Sequence, residues 1–173
     1  MEASFDMPTI DALSATKKIK AAFDARHRPN KATESSELTK DEQAALAEIT
    51  ALDWRDTTAS TWEKLADVVS WLSPEGFCYY LPGILVSTLE ERCPNLMAAC
   101  SILFMLDRTP TIELWDEFFL ERWRRFTVAE LEAIATWIDW VSTEDGVALD
   151  DVALTRALLN IDLLVSLAQE NRG

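Results

Sequence analysis

Two tetrapeptides in the chain, Thr39-Lys40-Asp41-Glu42 and Thr127-Val128-Ala129-Glu130, place a threonine three residues before a glutamate. Each is a capping box: the hydroxyl accepts the N3 amide and the carboxylate reaches back to the threonine amide. Behind the second box, Leu131, Ile134, Ile138 and Val141 share a helical face. No segment alternates apolar and polar residues over a useful length, and no repeat of fixed period is visible. Four Gly and six Pro in 173 residues are too few for a sandwich or barrel of tight turns. The expectation is a single all-α domain over residues 1–173, a bundle of about seven helices.

Punctuation divides the bundle. A first helix is expected over residues 10–25, ended by Arg26-His27-Arg28-Pro29. Residues 30–38 are polar and read as a flexible loop. The first capping box opens the second helix, and a third covers 61–71. Ser73-Pro74 restarts the chain as N-cap and first helical residue. Pro82 should kink or divide that helix, since it lacks the amide and clashes with the preceding turn. Residues 94–106 carry one polar side chain past Asn95, Ser101, and are expected to be buried on nearly all sides. Thr109-Pro110 should open a helix reaching Phe126, with Arg122 snorkelling or paired inside an apolar arc. The last helix, from about residue 150 to 168, has two apolar stripes. One is Leu154, Leu158, Ile161, Val165 and Ala168; the other is Leu159, Leu163 and Leu167. Two stripes mean a central helix or an interface.

Charge excludes some partners. Sixteen Lys and Arg stand against 30 Asp and Glu, a net charge of −14. Residues 1–40 hold seven basic and six acidic side chains, so the remaining residues carry −15. Nucleic acid and anionic membranes need a basic surface and are not expected partners. A basic protein is, with solubility alone as the rival explanation. Cys78, Cys93 and Cys100 form no CxxC motif and read as reduced, buried thiols. Residues 1–6 contain neither a basic nor an apolar leader segment, and a cytoplasmic protein is expected.

Catalytic chemistry has little to work with. His27 is the only histidine, so multi-His metal sites and a supported Ser-His-Asp triad are not expected. There is no P-loop and no GxGxxG. Paired carboxylates are too common here to single out an acid–base site. No catalytic residue, cofactor or metal is therefore expected. Trp140 lies on the flank of its helix with Ala129, Ala133 and Thr136. Half exposed beside Asp139, Glu144 and Asp145, with Asp150 and Asp151 further on, it would be a hot spot for a basic protein. The alternative is a tryptophan capping a small-residue groove between helices.

Two segments carry a resemblance. Trp71-Leu72-Ser73-Pro74-Glu75-Gly76-Phe77-Cys78-Tyr79-Tyr80-Leu81-Pro82-Gly83-Ile84-Leu85 resembles the LSPEGFRYYLPAFL signature of a family of small helical bacterial proteins of uncharacterised function. The helix after Phe126, through Trp137 and Trp140, is similar to that family's later segment. Cys78 departs from the signature, which has a basic residue there. The resemblance implies a bacterial, cytosolic helical domain and supplies no catalytic residues. By analogy with other small acidic proteins, it suggests an immunity protein that neutralises a secreted antibacterial toxin, as monomer or weak homodimer. The alternative is a small-ligand protein or enzyme using Phe77, Tyr79, Tyr80 and Pro82 as a pocket, unless those residues only lock helix segments together.

Overall fold

The computed structural model of the protein describes residues 10–171. The leader reading of residues 1–6 and the two ends of the expected domain lie outside that span. Among the described residues there are nine α-helices and no strand, and seven of the helices have seven or more residues. They are α1 (Ala12–Phe23), α2 (Lys40–Thr50), α3 (Ala59–Lys64), α4 (Val68–Trp71), α5 (Pro74–Glu90), α6 (Met97–Leu106), α7 (Glu117–Trp123), α8 (Val128–Thr143) and α9 (Asp151–Glu170). Both expected capping boxes are closed, at the starts of α2 and α8.

The core is organised around α5. Every residue from Gly76 to Leu89 is buried, so this helix has no solvent face. Helix α1 packs on α5 and α8, α9 lies against α8 and α6, and α7 and α3 close the remaining sides. Phe77 meets Trp123 edge-on at 5.6 Å and Phe126 at 6.1 Å. Trp123 stacks on Phe119, and Phe126 receives Phe23 from α1. The C-terminal end of α1 is tied to the start of α8 by a two-pronged ion pair. Arg26 Nε and Nη2 donate to Glu130 Oε1 and Oε2 at 2.6 and 2.7 Å. Glu130 is buried and at the same time closes its own capping box.

Several sequence expectations change in the fold. Pro82 does not divide its helix: α5 runs through it without a break. Packing on all sides outweighs the local loss of one amide, a penalty of about 3 kcal/mol in an unsupported helix. The expected helix at 61–71 breaks at Leu65 (φ −114°, ψ 25°), and this places Leu65, Val68 and Val69 all in the core. Pro110 opens no long helix. A single 3₁₀ turn, Ile112–Leu114, leads to an extended Trp115, and Asp116 starts α7 by accepting the Phe119 amide at 2.9 Å. Helix α6 is not buried on nearly all sides, because Met97 and Phe104 point outward. Arg122 is buried without a carboxylate partner. It donates to the carbonyls of Leu72 (2.8 Å) and Phe118 (3.1 Å) and lies over the Phe118 ring.

The segment before α3 docks so closely on α5 that only glycine fits at position 83. A Cβ there would sit 2.7 Å from the Trp54 carbonyl oxygen and closer still to Thr57 Oγ1. Gly83→Ala should therefore destabilise the protein by about 1–3 kcal/mol, because backbone must move to admit the methyl group. Urea unfolding of the two proteins measures the difference, and equal midpoints would show that the contact yields freely.

Candidate functional site

The signature segment is an anchoring device. Ser73 caps α5 by accepting the Gly76 amide at 3.0 Å. Its own amide donates to the Ala32 carbonyl at 2.7 Å, and its hydroxyl donates to the Lys31 carbonyl at 3.2 Å. Thr33 Oγ1 donates to the Trp71 carbonyl at 2.6 Å. Gly76 leaves room for the chain at Ala32, whose oxygen would lie 2.8 Å from a Cβ. Residues 31–33, expected to be flexible, are thus pinned to the start of α5. Tyr79 donates to Asp53 Oδ2 at 2.8 Å and Tyr80 to the Leu52 carbonyl at 3.2 Å, fastening the segment that leads to Trp54. Phe77, Tyr79, Tyr80 and Pro82 are all buried. They lock elements together and do not form a joint pocket. Only Tyr80 lines a cavity, one between residues 28–35 and α2. Cys78 donates its thiol to the Arg122 carbonyl, and burial pushes its pKa up to about 12, so it is no nucleophile at neutral pH.

The expected acidic hot spot does not assemble around Trp140. That residue is 1% exposed, so its indole caps an interior groove and offers nothing to a partner. Asp150 is occupied as the N-cap of α9, accepting the Ala153 amide at 2.8 Å. Glu144 reaches Arg92 only at 3.9 Å. Asp145 and Asp151 are exposed, and Asp139 is half-buried on α8. Among the described residues no group of three or more His, Cys, Asp or Glu could hold a metal ion. No described helix is long and apolar enough to cross a membrane.

Another surface emerges on α6 and α9. Asn95, before α6, donates to the Gly146 carbonyl and accepts the Ala148 amide, both before α9. Asn160, midway along α9, donates to the carbonyls of Leu106 and Arg108 at the end of α6. The two helices therefore run side by side in the same direction. Each carries an outward pair seven residues apart: Met97 (65% exposed) and Phe104 (61%) on α6, Val152 (61%) and Leu159 (45%) on α9. A shallow cavity of about 330 Å³ continues from Leu159 along Leu163, bounded by Pro110, Asp162 and Ser166. Asp151 and Asp162 are exposed on α9, and neither pairs with a cation among the described residues. Ser101 marked this face in the sequence, since Met97, Ser101 and Phe104 share one line of α6.

Electrostatics on the neighbouring helix follow the same sign. Burial pushes the Asp139 carboxyl above the usual carboxylate range; Lys18 opposes the rise and Asp162 adds to it. The folded protein holds this proton more tightly than the unfolded chain. Stability is thus lost as pH rises from the unfolded value, about 3.9, through the folded one, and stays lower above it. Asp139→Asn should raise the melting temperature at neutral pH. The gain should vanish below about pH 4, where the native carboxyl is protonated in both states. Thermal unfolding across pH measures this, and a lower melting temperature for the variant at neutral pH would contradict it.

No curated protein and no solved structure matches the chain. A family sequence profile matches residues 12–160, a span that takes in all of the helices but the last part of α9. The protein belongs to a family of unknown function, DUF6714.

Proposed function

We propose that this protein is a binding module that docks a basic protein on the joint face of α6 and α9, and that it serves as a cytoplasmic immunity protein neutralising a toxin. The reading is carried by the four outward apolar side chains, Met97, Phe104, Val152 and Leu159, beside unpaired carboxylates. Large exposed apolar side chains grouped on one face mark interaction surfaces. The acids beside them select a partner of opposite charge, steer its approach and make association fall with salt. A second copy is a poorer occupant, since each chain brings a charge of −14. The three free thiols suit a reducing compartment.

The test is a co-expression assay with the product of a toxin gene adjacent to this one. The wild-type protein should restore growth. Phe104→Glu combined with Leu159→Glu should remove protection and weaken binding of the purified toxin by about 100-fold or more, with an unchanged helical circular dichroism spectrum. Full protection by the double variant would remove the face from the function. A wild-type dimer that the same substitutions dissociate would identify a second copy as its occupant and overturn the proposal.

A further inference from the structure

The cavity beside Tyr80 has the opposite character to the rest of the surface. It measures about 630 Å³ and is an open cleft between residues 28–35 and α2. Arg28, Lys31, Asn30 and Gln43 supply its polar side, Leu38 and Leu46 its apolar side. None of its lining residues is a carboxylate, in a chain with 30 acids against 16 bases. The Arg28 side chain is exposed and lies near both the Tyr79 hydroxyl and the Asp53 carboxylate, which raise its pKa. Lys31 has no ion-pair partner among the described residues. The wall that carries both cations is fixed by the Ser73 and Thr33 hydrogen bonds to residues 31 and 32 and to Trp71. On the opposite wall, Gln43 Nε2 donates to the Leu38 carbonyl at 2.8 Å, setting the helix against the loop.

We infer that this cavity binds a small soluble organic anion: a phosphate monoester or carboxylate bearing an apolar or aromatic part, no larger than a mononucleotide. The anionic group meets Arg28 and Lys31, and the apolar part lies against Leu38 and Leu46. The volume falls within the range of small-molecule sites, about 300–1,000 Å³. The global charge does not forbid this. At physiological salt, charges beyond about 8 Å are largely screened, so the local field is set by Arg28, Lys31 and the nearby Asp53 carboxylate and not by the global charge. The site is separate from the α6 and α9 face and stands or falls independently of it.

Calorimetric titration of the full chain with adenosine monophosphate, benzoate and inorganic phosphate tests the inference. Adenosine monophosphate or benzoate should bind with a Kd of about 1 mM or tighter, and inorganic phosphate more weakly. Lys31→Glu should weaken that binding at least tenfold, a loss of about 1.4 kcal/mol, while the melting temperature of the unliganded protein stays unchanged. Absence of heat for all three probes at millimolar concentration would overturn the proposal. So would equal binding by Lys31→Glu, which would place the ligand elsewhere. Phosphate binding as tightly as adenosine monophosphate would remove the apolar half of the site.

Discussion

A helix with no polar face must be wrapped, and α5 is such a helix over fourteen consecutive residues, Gly76 to Leu89. Burial of its apolar side chains drives the assembly of everything around it. It also creates a polar problem, because hydroxyls and amides inside the wrap need partners. Thr88 shows the solution: it donates to the Leu85 carbonyl and accepts the Trp137 indole N–H at 2.8 Å. Ser87 donates to the Gly83 carbonyl, and Thr57 accepts the Trp62 indole. The Trp137 bond to Thr88 joins α8 to α5 and helps to fix which neighbour sits on that side of the helix, a selection that apolar contact alone does not make.

That constraint explains what was legible in the sequence. The helical class, both capping boxes and the restart at Ser73-Pro74 depend on local chemistry, and local chemistry is visible in a string. Pro82 was misjudged because the penalty for proline is local while the packing that overrides it comes from α1, α7 and the Trp54 segment. For Trp140 the acidic neighbours in sequence suggest a half-exposed hot spot and the small residues on its flank suggest a groove cap; helical rotation turns the indole inward and leaves Asp139 at the margin. The composition of α6, apolar but for Ser101, suggests burial on nearly all sides. Only the fold shows that α9 covers one side of it. Ser101 on the uncovered line carried the signal and was outweighed by eleven residues of hydrophobic average.

The candidate site had the same two sources. The resemblance draws attention to Phe77, Tyr79, Tyr80 and Pro82; all four are buried, and Phe77, Tyr79 and Tyr80 each contact another segment. The cavity beside Tyr80 is lined also by Arg28 and Lys31, which lie in the near-neutral first 40 residues. Uneven charge along the chain places the acid on the body and gives no sign of a cationic cavity, because a string does not show a polar loop pinned against the start of α5. Acid on the body and base at the cavity describe two surfaces of different chemistry.

The contacts of α1 have a consequence for synthesis. Its partners are remote along the chain: Lys20 pairs with Glu90, Arg26 with Glu130, and Lys18 donates to Thr136. Ile19 and Phe23, which are completely buried in the finished fold, have nothing to cover them when they leave the ribosome. Arg26 waits for 104 more residues before its carboxylate exists, about 5–20 s at 5–20 residues per second. Helix α1 thus completes its contacts only after α8 is made, and for those seconds the nascent protein displays an apolar stripe that it later hides.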